Sequence, residues 1–353
     1  MTKNELLKNI DLDNTIEKVT LEGLDLSAMD LTGVRFHQVI FIDVDFSTSK
    51  IVKTGFKDCS FVDCSFERVD FEELFWQKMS LINCSFKEAN LSKCTFNFMD
   101  FSKSNFTQAN LSQATFFESV LSEVHFEKTN CTKTTFTQST MINTLFLDCD
   151  LLSTTFFKTD MQGSRFSKTD MIKVVLMECD LQKQDFANAT LNMVQFNSSD
   201  LSHTTFNGAD ISQTNFYKAN LASCSLQRVE AKNTIFTETN LTLADFQGAN
   251  LFQSNFGDAL LELTNFSNAN LQQCYFVFSK CIQSNFSNAN AKYANFSHAL
   301  FDSVILNGAN LSFALVHAIV LKDCKLEVAN CFGLRKTDPD LLEAENFQGE
   351  SYE

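Results

Sequence analysis

The chain has 353 residues and a formal net charge of −15, with 28 basic against 43 acidic residues, one proline, twelve cysteines and 38 phenylalanines. With acids in that excess, direct nucleic-acid binding is not expected. No apolar run approaches the roughly 18 residues of a membrane span, and the opening MTKNELLKNIDLDN lacks the basic segment and apolar core of a signal peptide. The expected setting is therefore cytoplasmic, although secretion by another route leaves no such signature. N-x-S/T triplets such as NFS at 265–267 are read as by-products of the repeat rather than glycosylation sites.

In chain order, residues 1–15 form an N-terminal cap. Thr2 and Glu5 have capping-box spacing before Leu6 and Leu7, which predicts one short helix over the first coil. From Ile16 every fifth residue is apolar through Leu21, Leu26, Leu31 and Phe36 to Cys331, sixty-four positions with no charged, amide or hydroxyl side chain and no shift of register. Two residues before each centre runs a second series, bulky at Val19, Leu24, Met29 and Val34, then mostly Ala, Ser, Thr, Cys and Val. Gln184 is its one large polar member.

A period of five is neither that of a helix nor that of a strand. A chain that buries one large and one small residue in every five can do so by turning a corner every five residues. Four corners close a coil of 20, so side chains 20 apart should stack. Phe46, Phe66, Phe86 and Phe106 begin one such column, and Phe36, Phe56, Trp76 and Phe96 another, while the remaining two columns are mainly Leu and Met. Two places strain this scheme. Phe61, Phe66, Phe71 and Trp76 crowd four rings into one coil, which suggests a wider or differently turned N-terminal end. Phe301 sits with Leu306, Leu311 and Val316, as though the large residue had changed face.

The strings ANLSQ (109–113), ADISQ (209–213), ANLFQ (249–253) and ANLQQ (269–273) resemble the A-(D/N)-L-x-x signature of the pentapeptide-repeat family. The resemblance covers residues 16–331 and implies a right-handed quadrilateral β-helix, a solenoid of about 16 coils in a repeat domain spanning 16–335. It also implies a bacterial, non-enzymatic protein. Within the family a C-terminal segment of the kind seen here mediates dimerisation in some members, others act beside secretion machinery, and others inhibit or protect DNA gyrase by imitating duplex DNA.

Residues 336–353 form a C-terminal acidic cap or tail. In TDPDLLEAENF, Asp338 or Thr337 can start a helix with Pro339 in its first turn. Acidity is concentrated at the ends, with a balance of −4 over residues 1–30 and −6 over 337–353, which leaves −5 for the long body between them. A duplex carries a charge every 1.7 Å or so, so this distribution weakens the DNA-mimic reading.

All twelve cysteines occupy inward positions, as small buried hydrophobes in a reducing compartment would. No metal site or cofactor is expected, because CSFVDC at 59–64 lacks ligand spacing and a histidine beside it. His37, His125, His203, His298 and His317 fall on outward positions, with His298 and His317 on successive coils, and two exposed imidazoles are read as solvated. A core filled by Phe and Leu leaves no pocket for catalysis, and Gln184 is expected to bond to backbone at a widened corner.

Recognition through an extended surface remains. Phe75, Phe98, Phe117, Phe157, Met177, Tyr217, Ile235, Tyr275 and Phe278 all map outward on the face centred on Phe36 through Val316, joined by Val277 and Leu315. A one-sided apolar stripe of this kind marks a protein-binding face. The expected function is a protein-binding scaffold or adaptor, with a homodimer through the C-terminal segment or the apolar face as one form of partner. The alternative is a DNA-mimicking modulator of gyrase or topoisomerase.

Overall fold

The structure, a computed structural model, describes residues 1–13, 15–169 and 171–346, with no side-chain account for 11–13. The chain folds as two compact units, Met1–Gln184 and Asp185–Glu353. Both are parallel β-solenoids in which residue i pairs with residue i+20, as Phe96, Phe116 and Phe136 do in the first unit and Asn215 and Ile235 in the second. No helix among the described residues is long and apolar enough to cross a membrane.

The first unit opens with helix α1, Lys3–Asp13. Its capping box forms as the spacing predicts: the Thr2 N–H donates to Glu5 Oε2 at 2.8 Å and the Glu5 N–H to Thr2 Oγ1 at 3.3 Å. Leu6 is fully buried. Behind it the phenylalanine column from Phe46 to Phe166 stacks ring on ring at 4.8–5.3 Å, the spacing of adjacent parallel strands. Rings in neighbouring columns meet edge to face, Phe71 on Trp76 at 5.1 Å and Phe56 on Trp76 at 5.8 Å, so the crowded coil is filled by the geometry aromatic quadrupoles prefer.

Corners come in two forms. A tight corner closes with a bond from residue i+3 back to the centre carbonyl, as Ala109 N–H to Phe106 O at 3.0 Å. The open form extends the three residues around the centre into a short strand. Open corners occupy two of the four sides near the N-terminus, in the sheets Thr15–Glu17, Arg35–His37, Gly55–Lys57 and Thr20–Glu22, Ile40–Ile42, Ser60–Val62, Ser80–Ile82. The N-terminal end is thus differently turned, as its crowded sequence suggests.

Asn or Asp before the centre goes with the tight form. None of the nineteen described strands begins with Asn or Asp. At tight corners that residue is repeatedly Asn or Asp, and its side-chain oxygen accepts the N–H two residues on, as Asn105 Oδ1 from Thr107 at 2.9 Å and Asp210 Oδ1 from Ser212 at 3.0 Å. This is the Asx turn, and it is the physical content of the D/N in the repeat signature.

The small inward series also carries a bond. Hydroxyls at these positions donate to the centre carbonyl 23 residues earlier: Thr129 to Phe106 at 2.7 Å, Thr134 to Leu111 at 2.7 Å and Thr264 to Leu241 at 2.9 Å. Gln184 makes the same bond with its amide, donating to Met161 O at 3.2 Å, so its polarity is satisfied within the pattern.

In the second unit the column Phe196, Phe216, Phe236, Phe256, Phe276, Phe296 stacks at 4.8–5.2 Å. Corners are tight until strands Lys280–Ile282, Leu300–Asp302 and Val320–Lys322 open one side, where Phe301 packs on Phe286 at 5.6 Å and Phe296 at 5.3 Å. Helix α2, Pro339–Asn346, follows the last coil; Asp338 Oδ1 accepts the N–H groups of Asp340 and Leu341 at 3.1 and 3.3 Å, the cap that the sequence predicts. Phe347 and the rest of the acidic segment to residue 353 lie outside the described residues.

Candidate functional site

The nine expected contact residues all stay out of the core. In the first unit Phe75 is 56% exposed, Phe98 and Met177 are exposed, and Phe117 and Phe157 are half-buried. Their face is a six-stranded parallel sheet running from Phe75–Gln77 to Val175–Met177. The rings of Phe98 and Phe117 pack edge to face at 5.6 Å, and the Lys158 ammonium lies 5.2 Å from the centre of the Phe157 ring.

In the second unit Ile235, Tyr275 and Phe278 are exposed, whereas Tyr217 is half-buried, donates its hydroxyl to Glu238 at 3.0 Å and carries Lys218 at 5.0 Å from its ring centre. Val277, Phe278 and Leu315 line a cleft of about 560 Å³ whose opposite side is formed by Asp338, Leu341 and Glu345 at the C-terminal helix. The chain's own α2 therefore borders this cleft, while Phe278 stays exposed.

The same helix overturns the reading of His298 and His317 as solvated. They are neighbours, with His298 N–H donating to His317 O at 2.9 Å and their rings 5.3 Å apart, but His317 is only 3% exposed. Glu345 supplies the cover: its Oε2 lies 3.0 Å from His317 Nε2 and 3.4 Å from His298 Nε2. His317 Nδ1 accepts the Asp338 N–H at 3.2 Å, so the proton of the neutral ring sits on Nε2 and points at the carboxylate. The His317 hydrogen bond and the nearby His298 hold the Glu345 carboxyl below its usual range. Sequence spacing shows the two histidines; Glu345 reaches them only through the path of the chain.

The last coil presents a second surface. Leu321 and Leu326 are repeat centres, yet they are 54% and 41% exposed, and Cys331 is exposed with them. Beside them Tyr293 stacks on Phe313 at 5.3 Å and Phe313 meets Phe332 at 5.4 Å, with Lys292 5.0 Å from the Tyr293 ring centre. Gly333 makes room for this cluster, since a Cβ there would stand 2.7 Å from the Phe313 ring. Tyr293 was legible in the 20-residue spacing to Phe313, but it lies on a different face from the expected stripe.

Family comparison agrees with the repeat. The chain matches the pentapeptide repeat region at residues 139–216 and 205–273, and pentapeptide repeats at 59–97, 81–125 and 279–314. It belongs to the pentapeptide-repeat family. Among solved structures it is similar to HetL, a pentapeptide repeat protein involved in heterocyst differentiation regulation from the cyanobacterium Nostoc sp. strain PCC 7120, at 20% identity over 73% of this chain and 90% of that one, TM-score 0.21. QnrB1, a plasmid-mediated fluoroquinolone resistance protein, matches at 17% identity over 62% of this chain and 86% of that one, TM-score 0.20. A pentapeptide repeat protein of the Arabidopsis thaliana thylakoid lumen matches at 27% identity over 28% of this chain and 64% of that one, TM-score 0.22. No curated protein matches the chain.

Proposed function

We propose that this protein is a non-enzymatic scaffold or adaptor that binds other proteins through the outer faces of its coils, with Phe75, Phe98, Phe117, Phe157, Met177, Tyr217, Ile235, Tyr275 and Phe278 as contact residues. The observation that carries this reading is the exposed apolar side chains on one face of each unit. An accessory role beside a bacterial secretion system is the narrower form of this reading and rests on resemblance alone. Pull-down with the wild type and with the Phe98→Ser, Tyr275→Ser double variant tests it. Both substitutions are at the surface and should cost within about 0.5 kcal/mol each. A specific partner retained by the wild type should be lost by the variant, and a partner held equally by both removes these residues from the interface. A supercoiling assay with purified gyrase tests the DNA-mimic alternative, which a balance of only −5 over residues 31–336 disfavours.

A homodimer is the second reading, and the last coil favours it. Core positions Leu321 and Leu326 in solvent, together with the strand Val320–Lys322 at the end of its sheet, make an apolar end with a strand edge that no other described strand pairs. A second copy stacked end to end covers both. Light scattering should give twice the chain mass for the wild type and the single mass for Leu321→Glu, Leu326→Glu; a monomeric wild type refutes the dimer.

A further inference from the structure

We propose that His298, His317 and Glu345 form a binding site for a divalent transition-metal ion of the zinc type, which fastens α2 to the side of the second unit's coils. One ligand atom from each side chain lies within 4.8 Å of the others, with Glu345 Oε2 3.0 and 3.4 Å from the two imidazole Nε2 atoms. Ligands about 2.0–2.2 Å from a tetrahedral zinc stand roughly 3.3 Å from one another, so the observed separations admit an ion after small adjustments. Two imidazoles and one carboxylate are a complete three-ligand set for zinc, with a fourth position left to water.

The site is also held in place by its surroundings. Two ligands stand on adjacent coils joined by the His298–His317 backbone bond, and the His298 ring is stacked on Phe278 at 4.7 Å. The third ligand comes from the helix, so an ion joins two elements that otherwise meet through few contacts: α2 buries no residue. Arg335 and Lys336 line the same cleft and weaken the attraction for a cation, while Asp338 and Glu345 offset them.

Occupancy has a defined tautomer cost. In the empty site the neutral His317 ring carries its single proton on Nε2, facing Glu345; the metal takes that place and the proton passes to Nδ1, so the ring stays neutral and releases none. Nδ1–H then faces the Asp338 N–H as donor to donor. Asp338 must turn, and since it caps α2, the ion and the start of the helix respond together.

Titration calorimetry of the untagged full chain with zinc chloride, in a Cys324→Ser, Cys331→Ser background that removes the two accessible thiols, tests the site. One equivalent should bind. Glu345→Gln and His298→Gln should each weaken binding by tenfold or more, on the order of the losses seen when a metal site is disturbed. Glu345 is exposed and His298 half-buried, and circular dichroism shows whether the variants keep the fold. Cobalt(II) should give the intense visible bands of a tetrahedral nitrogen and oxygen site, and zinc should slow tryptic cleavage after Arg335 and Lys336. No stoichiometric binding, or binding unchanged in His298→Gln, overturns the proposal, as does cleavage indifferent to zinc. The pull-down and dimer tests are independent of these outcomes.

Discussion

At the residue scale, the molecule is built on a backbone conformation that side chains usually avoid. The second residue after nearly every centre has positive φ, from Lys18 at 54° to Val328 at 50°, and few of these residues are glycines. Left-handed geometry costs a β-branched residue most. Accordingly Lys, Asn, Gln, Glu, Asp and Ser dominate these positions, and Thr48 and Val328 are the β-branched members. The inward positions follow packing instead. Ten cysteines are buried, while Cys324 is half-buried and Cys331 exposed because the last coil leaves its interior in solvent. Native thiol labelling should therefore modify Cys331 rapidly, Cys324 more slowly, and the other ten only on unfolding. Fast reaction of several of the ten would show that their columns do not pack as described.

At the scale of the element, the corner is the unit of stability, and the Asx residue sets it. Asn110 shows how much one side chain contributes: its Nδ2 donates to Asn90 Oδ1 at 3.1 Å, and its Oδ1 accepts from the Ser112 N–H and from Asn130 Nδ2, both at 3.1 Å. Removing all three bonds from a half-buried site in Asn110→Ala should lower stability by about 1–2 kcal/mol. The check is the denaturation midpoint, with Asn→Ala outside any ladder as reference; an unchanged midpoint would leave the ladder without energetic weight. Because the coils pair in a line, the loss should be felt across the first unit and not only at one corner.

At the scale of the whole molecule, the buried thiols link stability to pH. Burial pushes Cys59 and Cys149 up to about 11, and Cys94, Cys179, Cys224, Cys274 and Cys281 up to about 12. A free thiol in the unfolded chain ionises near 8.5. Since the folded values are raised, the unfolded state loses protons first as pH rises, so this contribution is complete below about 8.5 and is lost progressively toward 11–12. Thermal unfolding should move to lower temperature above pH 9, and Cys→Ala at several of these sites should flatten that slope. A midpoint that stays level from pH 8 to 11 in the wild type would contradict the burial of the thiols.

The five-residue period by itself determined the solenoid, because two inward residues in every five, sustained from Ile16 to Cys331, admit no helix or ordinary strand. It also determined the stacking of residues 20 apart and both helix starts, since Thr2 with Glu5, and Asp338 before Pro339, satisfy local bonds whatever lies nearby. The corner forms were half legible: Asn or Asp before a centre writes a tight turn, but Ser65 and Thr190 also precede tight corners, where neighbouring coils decide. Only the tertiary structure decided where α2 lies, and with it the meeting of Glu345 with two histidines, one of them buried. Periodicity describes each residue's relation to the next coil, whereas a helix outside the repeat is placed by a few long-range contacts that no period records.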